Sequence, residues 1–204
     1  MQRNPAILLL GPTGSGKTPL GDLIQQRGLG GKAFWHFDFG ANLRAVVDRN
    51  RPDRWVEAGD VEFLRGVLES GALLEDEQFP LIERIFQSFL SQRKAAADDG
   101  VVLNGMPRHV GQAEAVATLV DVRTVVCLDC SEETVVERIR SNVGGDRTDR
   151  VDDDLPAVAN KLAIYAQRTM PLVEHYRLAG TRIQTVEVTA ESTPDQVWQT
   201  LGGR

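Results

Sequence analysis

Residues 6–18 of the chain read Ala6-Ile-Leu-Leu-Leu-Gly-Pro-Thr-Gly-Ser-Gly-Lys-Thr18, and this stretch decides the fold. It begins with a continuous apolar run, which predicts a β-strand buried on both faces, and Gly11 ends that run. The glycines that follow predict a turn, because glycine adopts backbone conformations that other residues avoid. A helical pattern then runs from Lys17 to Gln26. The order of strand, glycine-rich turn and helix is typical of an α/β protein.

The glycine-rich turn matches the phosphate-binding loop (P-loop) pattern G-x-x-x-x-G-K-[ST] at every position. In such a loop the backbone N–H groups of Gly14, Ser15 and Gly16 converge on phosphate oxygens, and the positive end of the following helix adds its field. Lys17 reaches the β- and γ-phosphates, and the hydroxyl of Thr18 is a ligand for Mg²⁺. The turn therefore predicts that the chain binds a nucleoside triphosphate.

Apolar and helical segments alternate along the rest of the chain. The predicted strands are 6–10, 33–37, 101–103, 122–128 and 182–188, and the predicted helices are 17–26, 40–49, 59–69, 78–97, 109–120, 131–141, 155–178 and 194–201. We expect Pro171 to break the helix over 155–178 near Met170, because proline cannot donate a helical hydrogen bond. Residues 142–154 lack an apolar period and are predicted to form a polar loop. Five apolar strands separated by helices predict an α/β fold with a parallel sheet between layers of helices.

Composition excludes several classes of protein. The 204 residues are 42% hydrophobic and 25% charged, which is typical of one globular domain. A net charge of −6 argues against nucleic acid as the main partner, because phosphate backbones need a strongly basic surface. The apolar run at Ala6–Leu10 is far too short to span a membrane. These features predict a cytoplasmic protein without a nucleic-acid or membrane partner.

The two cysteines, Cys127 and Cys130, form a C-x-x-C spacing in residues 124–130, a β-branched run that is typical of a strand. Side chains three residues apart on a strand point to opposite faces, and a zinc site would need a second pair of ligands. We therefore expect both cysteines to be structural, and we expect a reducing compartment because the chain has no disulfide framework.

Three further segments resemble the adenylate kinase family, specifically its short-lid form. Residues 101–115, Val-Val-Leu-Asn-Gly-Met-Pro-Arg-His-Val-Gly-Gln-Ala-Glu-Ala, resemble the family's strand-D-G-[FY]-P-R segment and the Q-A-E that follows it. Residues 127–138 resemble the strand and helix that carry a base-stacking arginine. Residues 149–153, together with Tyr165, Thr169, Pro171 and Tyr176, resemble the lid and the helix after it. The resemblance covers essentially the whole chain in the right order.

This resemblance implies a nucleoside monophosphate kinase that uses ATP and Mg²⁺, with AMP the expected acceptor and a monomer the expected state. It implies one kinase domain over 1–204 with a helical insert that binds the monophosphate at 38–75 and a short lid at 141–153. It also implies roles for particular residues, in which Lys17 holds the transferring phosphates and Arg138 stacks on the donor base. Arg44 and Arg108 bind the acceptor phosphate, Gln112 binds the acceptor base, and Arg150 of the lid stabilises the transition state. Positioning and charge stabilisation are what phosphoryl transfer requires.

The chain departs from the family pattern at four positions. Asn104 replaces the aspartate that orders the magnesium water shell, so we expect weaker metal binding. Asn142 and Lys161 stand where the family has arginines; Lys161 keeps the charge of a catalytic residue but loses the bidentate fork, and Arg140 or Arg147 could replace the arginine lost at Asn142. Phe39 replaces a threonine beside the acceptor adenine and changes the shape of that pocket.

Two alternatives to a nucleotide kinase remain open. One is a small-molecule kinase of the shikimate or gluconate type, in which Asp38, at the end of the second strand, binds or deprotonates a hydroxyl acceptor. The other is a nucleotide-binding module that transfers little phosphate, which the departures at Asn104, Asn142 and Lys161 suggest.

Overall fold

The computed structural model describes residues 3–52, 54–96, 98–145 and 155–203. Within these ranges the chain forms a sheet of five parallel strands in the order β2-β3-β1-β4-β5. The strands are β1 (Asn4–Leu10), β2 (Phe34–Asp38), β3 (Gly100–Asn104), β4 (Val120–Asp129) and β5 (Arg182–Glu187). The predicted fold class and the parallel sheet are confirmed.

Helices follow the strands and cover both faces of the sheet. They are α1 (Lys17–Arg27), α2 (Phe39–Arg49), α3 (Ala58–Ser70), α4 (Phe79–Arg93), α5 (Val110–Leu119), α6 (Glu132–Ser141), α7 (Leu155–Ile164), α8 (Pro171–Leu178) and α9 (Pro194–Thr200). Helices α2 and α3 lie within the predicted insert at 38–75. Of the predicted lid, residues 146–153 lie outside the described residues. No helix in the described ranges has both the length and the apolar content needed to cross a membrane.

Strand β1 is central, and its side chains alternate between two hydrophobic cores. Ala6, Leu8 and Leu10 enter a larger core beneath α2–α5 and α8, whereas Ile7 and Leu9 enter a smaller core beneath α1 and α9. This alternation explains the unbroken apolar run in the sequence, because both faces of the strand are covered. The core places the turn that follows β1 at the carboxyl edge of the sheet.

One of the helices predicted from the sequence ends earlier than expected, and another is broken where expected. Helix α4 ends at Arg93, because Lys94 adopts a left-handed conformation with φ of 51°, so the prediction that it continues to residue 97 is wrong. The predicted break in the helix over 155–178 is confirmed, and it takes the form of a π-helical segment at Tyr165–Thr169. The N–H of Met170 donates to the carbonyl of Tyr165, five residues back, just before Pro171.

The cysteines lie on opposite sides of the sheet, as their spacing predicts. Cys127 belongs to the larger core, and Cys130 packs against the smaller one. Both thiols are free, and burial raises the pKa of each. A raised pKa favours the unreactive thiol form, which agrees with a structural role.

A group of aromatic rings joins β2 to α4 in the larger core. The Phe86 ring meets the Phe37 ring edge-on at 5.0 Å, and both side chains are fully buried. Phe86→Ala should therefore lower the free energy of unfolding by about 3–5 kcal/mol, through lost burial and the cavity it leaves. Urea unfolding measures the change. Phe63→Ala is the matched control, because Phe63 is 44% exposed, and a loss equal to that of Phe86→Ala would contradict this account of the core.

Candidate active site

The P-loop joins β1 to α1, and its backbone conformation requires glycine. Gly14 and Gly16 have φ values of 78° and 93°, in the left-handed region that side chains disfavour. The side chain of Ser15 is buried, which leaves the backbone of the loop to face the cleft. Lys17 Nζ donates to the carbonyls of Gly11 at 2.8 Å and Pro12 at 2.7 Å, so the ammonium lies over the loop where phosphates are expected.

A cleft opens at the carboxyl edge of the sheet, directly above this loop. Open α/β sheets commonly bind ligands at this edge, because strand ends and helix N-termini meet there. The residues that line the cleft are Gly11, Thr13, Gly14, Gly16, Lys17, Thr18, Asp38, Gly40, Arg44, Asn104, Gly105, Arg108, Lys161 and Tyr165.

Positive charge dominates the lining of the cleft. Among the described residues it contains four cationic side chains, those of Lys17, Arg44, Arg108 and Lys161, and the single carboxylate of Asp38. The structure thus brings together the predicted phosphate-binding residues from four separate parts of the chain. A small polyanion fits this cleft even though the whole chain carries a net charge of −6.

Hydrogen bonds hold the backbone of Arg108 on both sides, whereas its Nε has no partner among the described residues. Its N–H donates to Gln112 Oε1 at 2.8 Å, and its carbonyl accepts from Thr169 Oγ1 at 2.9 Å. Its Nε is buried and makes no hydrogen bond to the described residues. Burial lowers the pKa of the Arg108 guanidinium. A cation that burial has desolvated binds an incoming anion strongly, because the anion supplies charge-assisted hydrogen bonds in place of water.

Two predicted acceptor residues lie away from the cleft lining. Gln112 is 1% exposed, and its Nε2 donates to the carbonyl of Leu74 at 2.6 Å, so its amide joins α5 to the segment after α3. Phe39 is buried in the larger core, with its ring 6.1 Å from that of Phe37. Binding of an acceptor base by either side chain stays a prediction.

Arg138 connects the P-loop to the loop before α9. It is 4% exposed, its Nε donates to the carbonyl of Gly14 at 3.0 Å, and its Nη1 donates to those of Thr189 at 2.7 Å and Ser192 at 2.9 Å. The guanidinium therefore positions the loop backbone on one side of the cleft. Stacking of Arg138 on a donor base stays a prediction.

The remaining predicted residues lie near the end of α6 or outside the described residues. Asn142 ends α6 in a left-handed conformation with φ of 49°, which asparagine tolerates, so its place in the fold is that of a helix cap. Arg140, one of its two possible replacements, is exposed on α6. The other, Arg147, and the predicted lid residue Arg150 lie outside the described residues.

Two features of the site were not expected from sequence reasoning. Tyr165 lines the cleft from the π-helical segment, and burial raises the pKa of its phenol to about 12, which keeps it a neutral hydrogen-bond donor. Asp38 and Asn104 contact each other and Thr18 at the floor of the cleft. The Y-x-x-x-T-x-P spacing could have pointed to Tyr165, whereas the Asp38–Asn104 contact depends on strand register.

A P-loop with a cation-rich cleft at the carboxyl edge of a parallel sheet defines a phosphotransferase of the P-loop class. Comparison with known proteins refines this. The model of the adenylate kinase family matches residues 9–181. Adenylate kinases from Haloarcula marismortui and Thermus thermophilus are 30% and 32% identical, each over 97% of this chain and 95% of the relative. One from Synechococcus is 31% identical over 87% of both chains. The chain belongs to the adenylate kinase family, and it is a nucleoside monophosphate kinase.

The contacts of Arg138 predict a structural effect that can be separated from loss of charge. Arg138→Ala leaves the carbonyls of Gly14, Thr189 and Ser192 without their donor, and should lower the free energy of unfolding by about 2–3 kcal/mol. It should also weaken ATP binding, because the P-loop backbone loses its support. Arg140→Ala removes the same charge from an exposed site on the same helix. Urea unfolding and ATP titration compare the two, and equal effects would contradict the positioning role.

Proposed function

We propose that the chain transfers the γ-phosphoryl group of ATP to AMP and releases two molecules of ADP. The observation that carries this proposal is that the cationic side chains of the cleft come from two groups of elements. Lys17 lies over the P-loop, whereas Arg44 and Arg108 come from α2 and the turn after β3. Two sets of positive charge suit two polyanions, one the triphosphate and the other a phosphate acceptor.

The chemistry needs alignment and charge stabilisation rather than a protein nucleophile. A phosphate oxygen of AMP forms a bond to the γ-phosphorus while the bond between that phosphorus and the β-γ bridging oxygen breaks, and the bridging oxygen leaves with ADP. The P-loop backbone and Lys17 hold the donor, and Arg44 holds the acceptor phosphate. Arg108 and Lys161 stabilise charge on the transferring group. Thr18 would hold the Mg²⁺ that accompanies ATP, which would supply further neutralisation of phosphate charge.

The insert at 38–75 supplies the acceptor side of this cleft. Gly40 and Arg44 lie on the first turns of α2, which begins directly after β2. The side chains of Arg44 and Asp38 both lie close to Gly40, because a Cβ there would be 3.4 Å from Arg44 Nη1 and 3.5 Å from Asp38 Oδ1, which are ordinary contact distances. We therefore assign α2 the binding of the monophosphate.

A hydroxyl-acceptor kinase is a poorer fit, because Asp38 is not free to act as a base. Its Oδ1 accepts from the N–H of Ala41 at 2.8 Å, and its Oδ2 accepts from Thr18 Oγ1 at 2.7 Å and Asn104 Nδ2 at 2.9 Å. A base needs an available oxygen that faces the substrate hydroxyl. Both carboxylate oxygens of Asp38 already accept hydrogen bonds from residues around them, so neither is available as a base for a substrate hydroxyl.

Turnover against a panel of acceptors tests the proposal. With ATP and Mg²⁺, the purified protein should form ADP with AMP at least tenfold faster, in kcat/KM, than with CMP, UMP, GMP, shikimate or gluconate. Coupled detection of ADP measures this, and ADP formation without an acceptor is the background. Absence of turnover with every monophosphate would contradict the proposal, and a preference for a hydroxyl acceptor would favour the alternative.

Separate kinetic effects are expected for the two arginines. Arg44→Ala should raise KM for AMP about tenfold or more, because a charge-assisted hydrogen bond contributes on the order of 1.5–3 kcal/mol. Arg108→Ala should lower kcat about tenfold to a hundredfold, because its charge acts on the transferring group. Arg65→Ala is the control, since Arg65 lies on α3 of the same insert and does not line the cleft. Steady-state kinetics that gave all three variants the same KM and kcat would contradict these assignments.

A further inference from the structure

The floor of the cleft contains a carboxylate at the end of β2 rather than at the end of β3. Asp38 and Asn104 are the last residues of these adjacent strands, and they are paired in register. Asn104 has no charge, whereas Asp38 is the one carboxylate among the described residues that line the cleft. Any negative charge that the described part of the chain places here comes from Asp38.

Asp38 contacts the P-loop residue that binds metal in proteins of this class. Thr18 Oγ1 donates to Asp38 Oδ2 at 2.7 Å, and Asn104 Nδ2 lies 2.9 Å from the same oxygen and 3.0 Å from Thr18 Oγ1. P-loop enzymes hold Mg²⁺ with the loop serine or threonine and one nearby aspartate. The hydroxyl and the carboxylate that this requires are therefore already in contact.

The contact with Asp38 favours an amide over a second carboxylate at position 104. The Asn104 amide donates to Asp38, whereas an aspartate at position 104 would place two carboxylates within about the same distance, where both cannot easily remain ionised. An asparagine on β3 therefore accompanies the aspartate on β2. The same Asn104 Nδ2 also lies 3.4 Å from His36 Nε2.

Capping of α2 does not by itself explain the aspartate. Asp38 Oδ1 caps the helix through the N–H of Ala41. Asparagine would cap the helix equally well, because the two residues are equivalent at this position. The second oxygen and the negative charge therefore need another explanation.

The donor set at this position fits magnesium. Hydroxyl and carboxylate oxygens are hard ligands, and Mg²⁺ is typically held by one or two carboxylates together with substrate phosphates. No group of three His, Cys, Asp or Glu side chains that could hold a metal ion occurs in the part of the chain that the structure describes. A single protein carboxylate beside the triphosphate site is consistent with this pattern.

We propose that Asp38 is the carboxylate that, with Thr18, holds the Mg²⁺ of bound ATP, and that the metal-binding charge of this chain has moved from β3 to β2. The proposal rests on the proposed function only in that the donor is a magnesium triphosphate. It gives Asn104 a positioning role, in which its amide orients the Asp38 carboxylate towards Thr18.

The test measures metal binding without turnover. The dissociation constant of the non-hydrolysable β,γ-imido analogue of ATP is measured by calorimetry with and without Mn²⁺, and the environment of bound Mn²⁺ is followed by electron paramagnetic resonance. Asp38→Asn should reduce the Mn²⁺-dependent gain in affinity about tenfold or more and leave metal-free binding of the analogue within about twofold. Asp121→Asn, at the opposite end of the sheet, should match the wild type.

A double variant that exchanges the two side chains provides the second part of the test. Asp38→Asn combined with Asn104→Asp returns one carboxylate and one amide to the same contact in reversed order, and should recover at least half of the lost Mn²⁺-dependent gain on a logarithmic scale. Asp38→Asn keeps a cap for α2, and circular dichroism checks that each variant is folded. An unchanged Mn²⁺-dependent gain in Asp38→Asn would overturn the proposal, and failure of the exchanged pair to recover would overturn the relocation of charge. Neither result depends on AMP turnover, so failure of the proposed function is seen separately.

Discussion

The parallel register of β2, β3 and β1 is the constraint on which the rest of the site depends. Asn104 pairs with Leu9 on one side and with Asp38 on the other, so three strands end together at one edge of the sheet. The P-loop leaves β1 at this edge, α2 leaves β2, and the turn that carries Arg108 leaves β3. Burial of both sheet faces specifies the register, because a slip of one residue would exchange the two hydrophobic cores.

The break in the helix over 155–178 shows how local backbone chemistry supports this edge. Pro171 has no N–H to donate, and the turn before it widens into the π-helical segment that contains Tyr165 and Thr169. Thr169 then reaches the carbonyl of Arg108, and Arg168 of the same segment forms two hydrogen bonds with Glu75. One helical irregularity therefore connects the cleft, the turn after β3 and the end of the insert.

Sequence reasoning succeeded where a signal is local. The apolar run, the glycines and the lysine of the P-loop follow from a pattern of adjacent residues, and so does the break at Pro171. Prediction from the sequence was less successful for side chains that could either face the substrate or be buried in the core. Gln112 and Phe39 occupy positions that suggest contact with substrate, yet they are buried against Leu74 and Phe37, because the packing of α2 and α5 on the sheet decides which way they point. Helix α4 was predicted too long, since the left-handed turn at Lys94 has no glycine to signal it.

Asn104 illustrates why a substitution cannot be judged at one position. Taken alone, the loss of a carboxylate at the end of β3 predicts weaker metal binding. Asp38 lies 66 residues earlier in the chain, yet its Oδ2 is 2.9 Å from Asn104 Nδ2. At that separation the two side chains act as one polar unit, whose charge is the same whichever strand carries the aspartate. Phosphate and metal binding depend on the charge of this pair of side chains beside Thr18. A compensating exchange across the two paired strands therefore keeps the chemistry of the cleft while it changes the sequence at both positions.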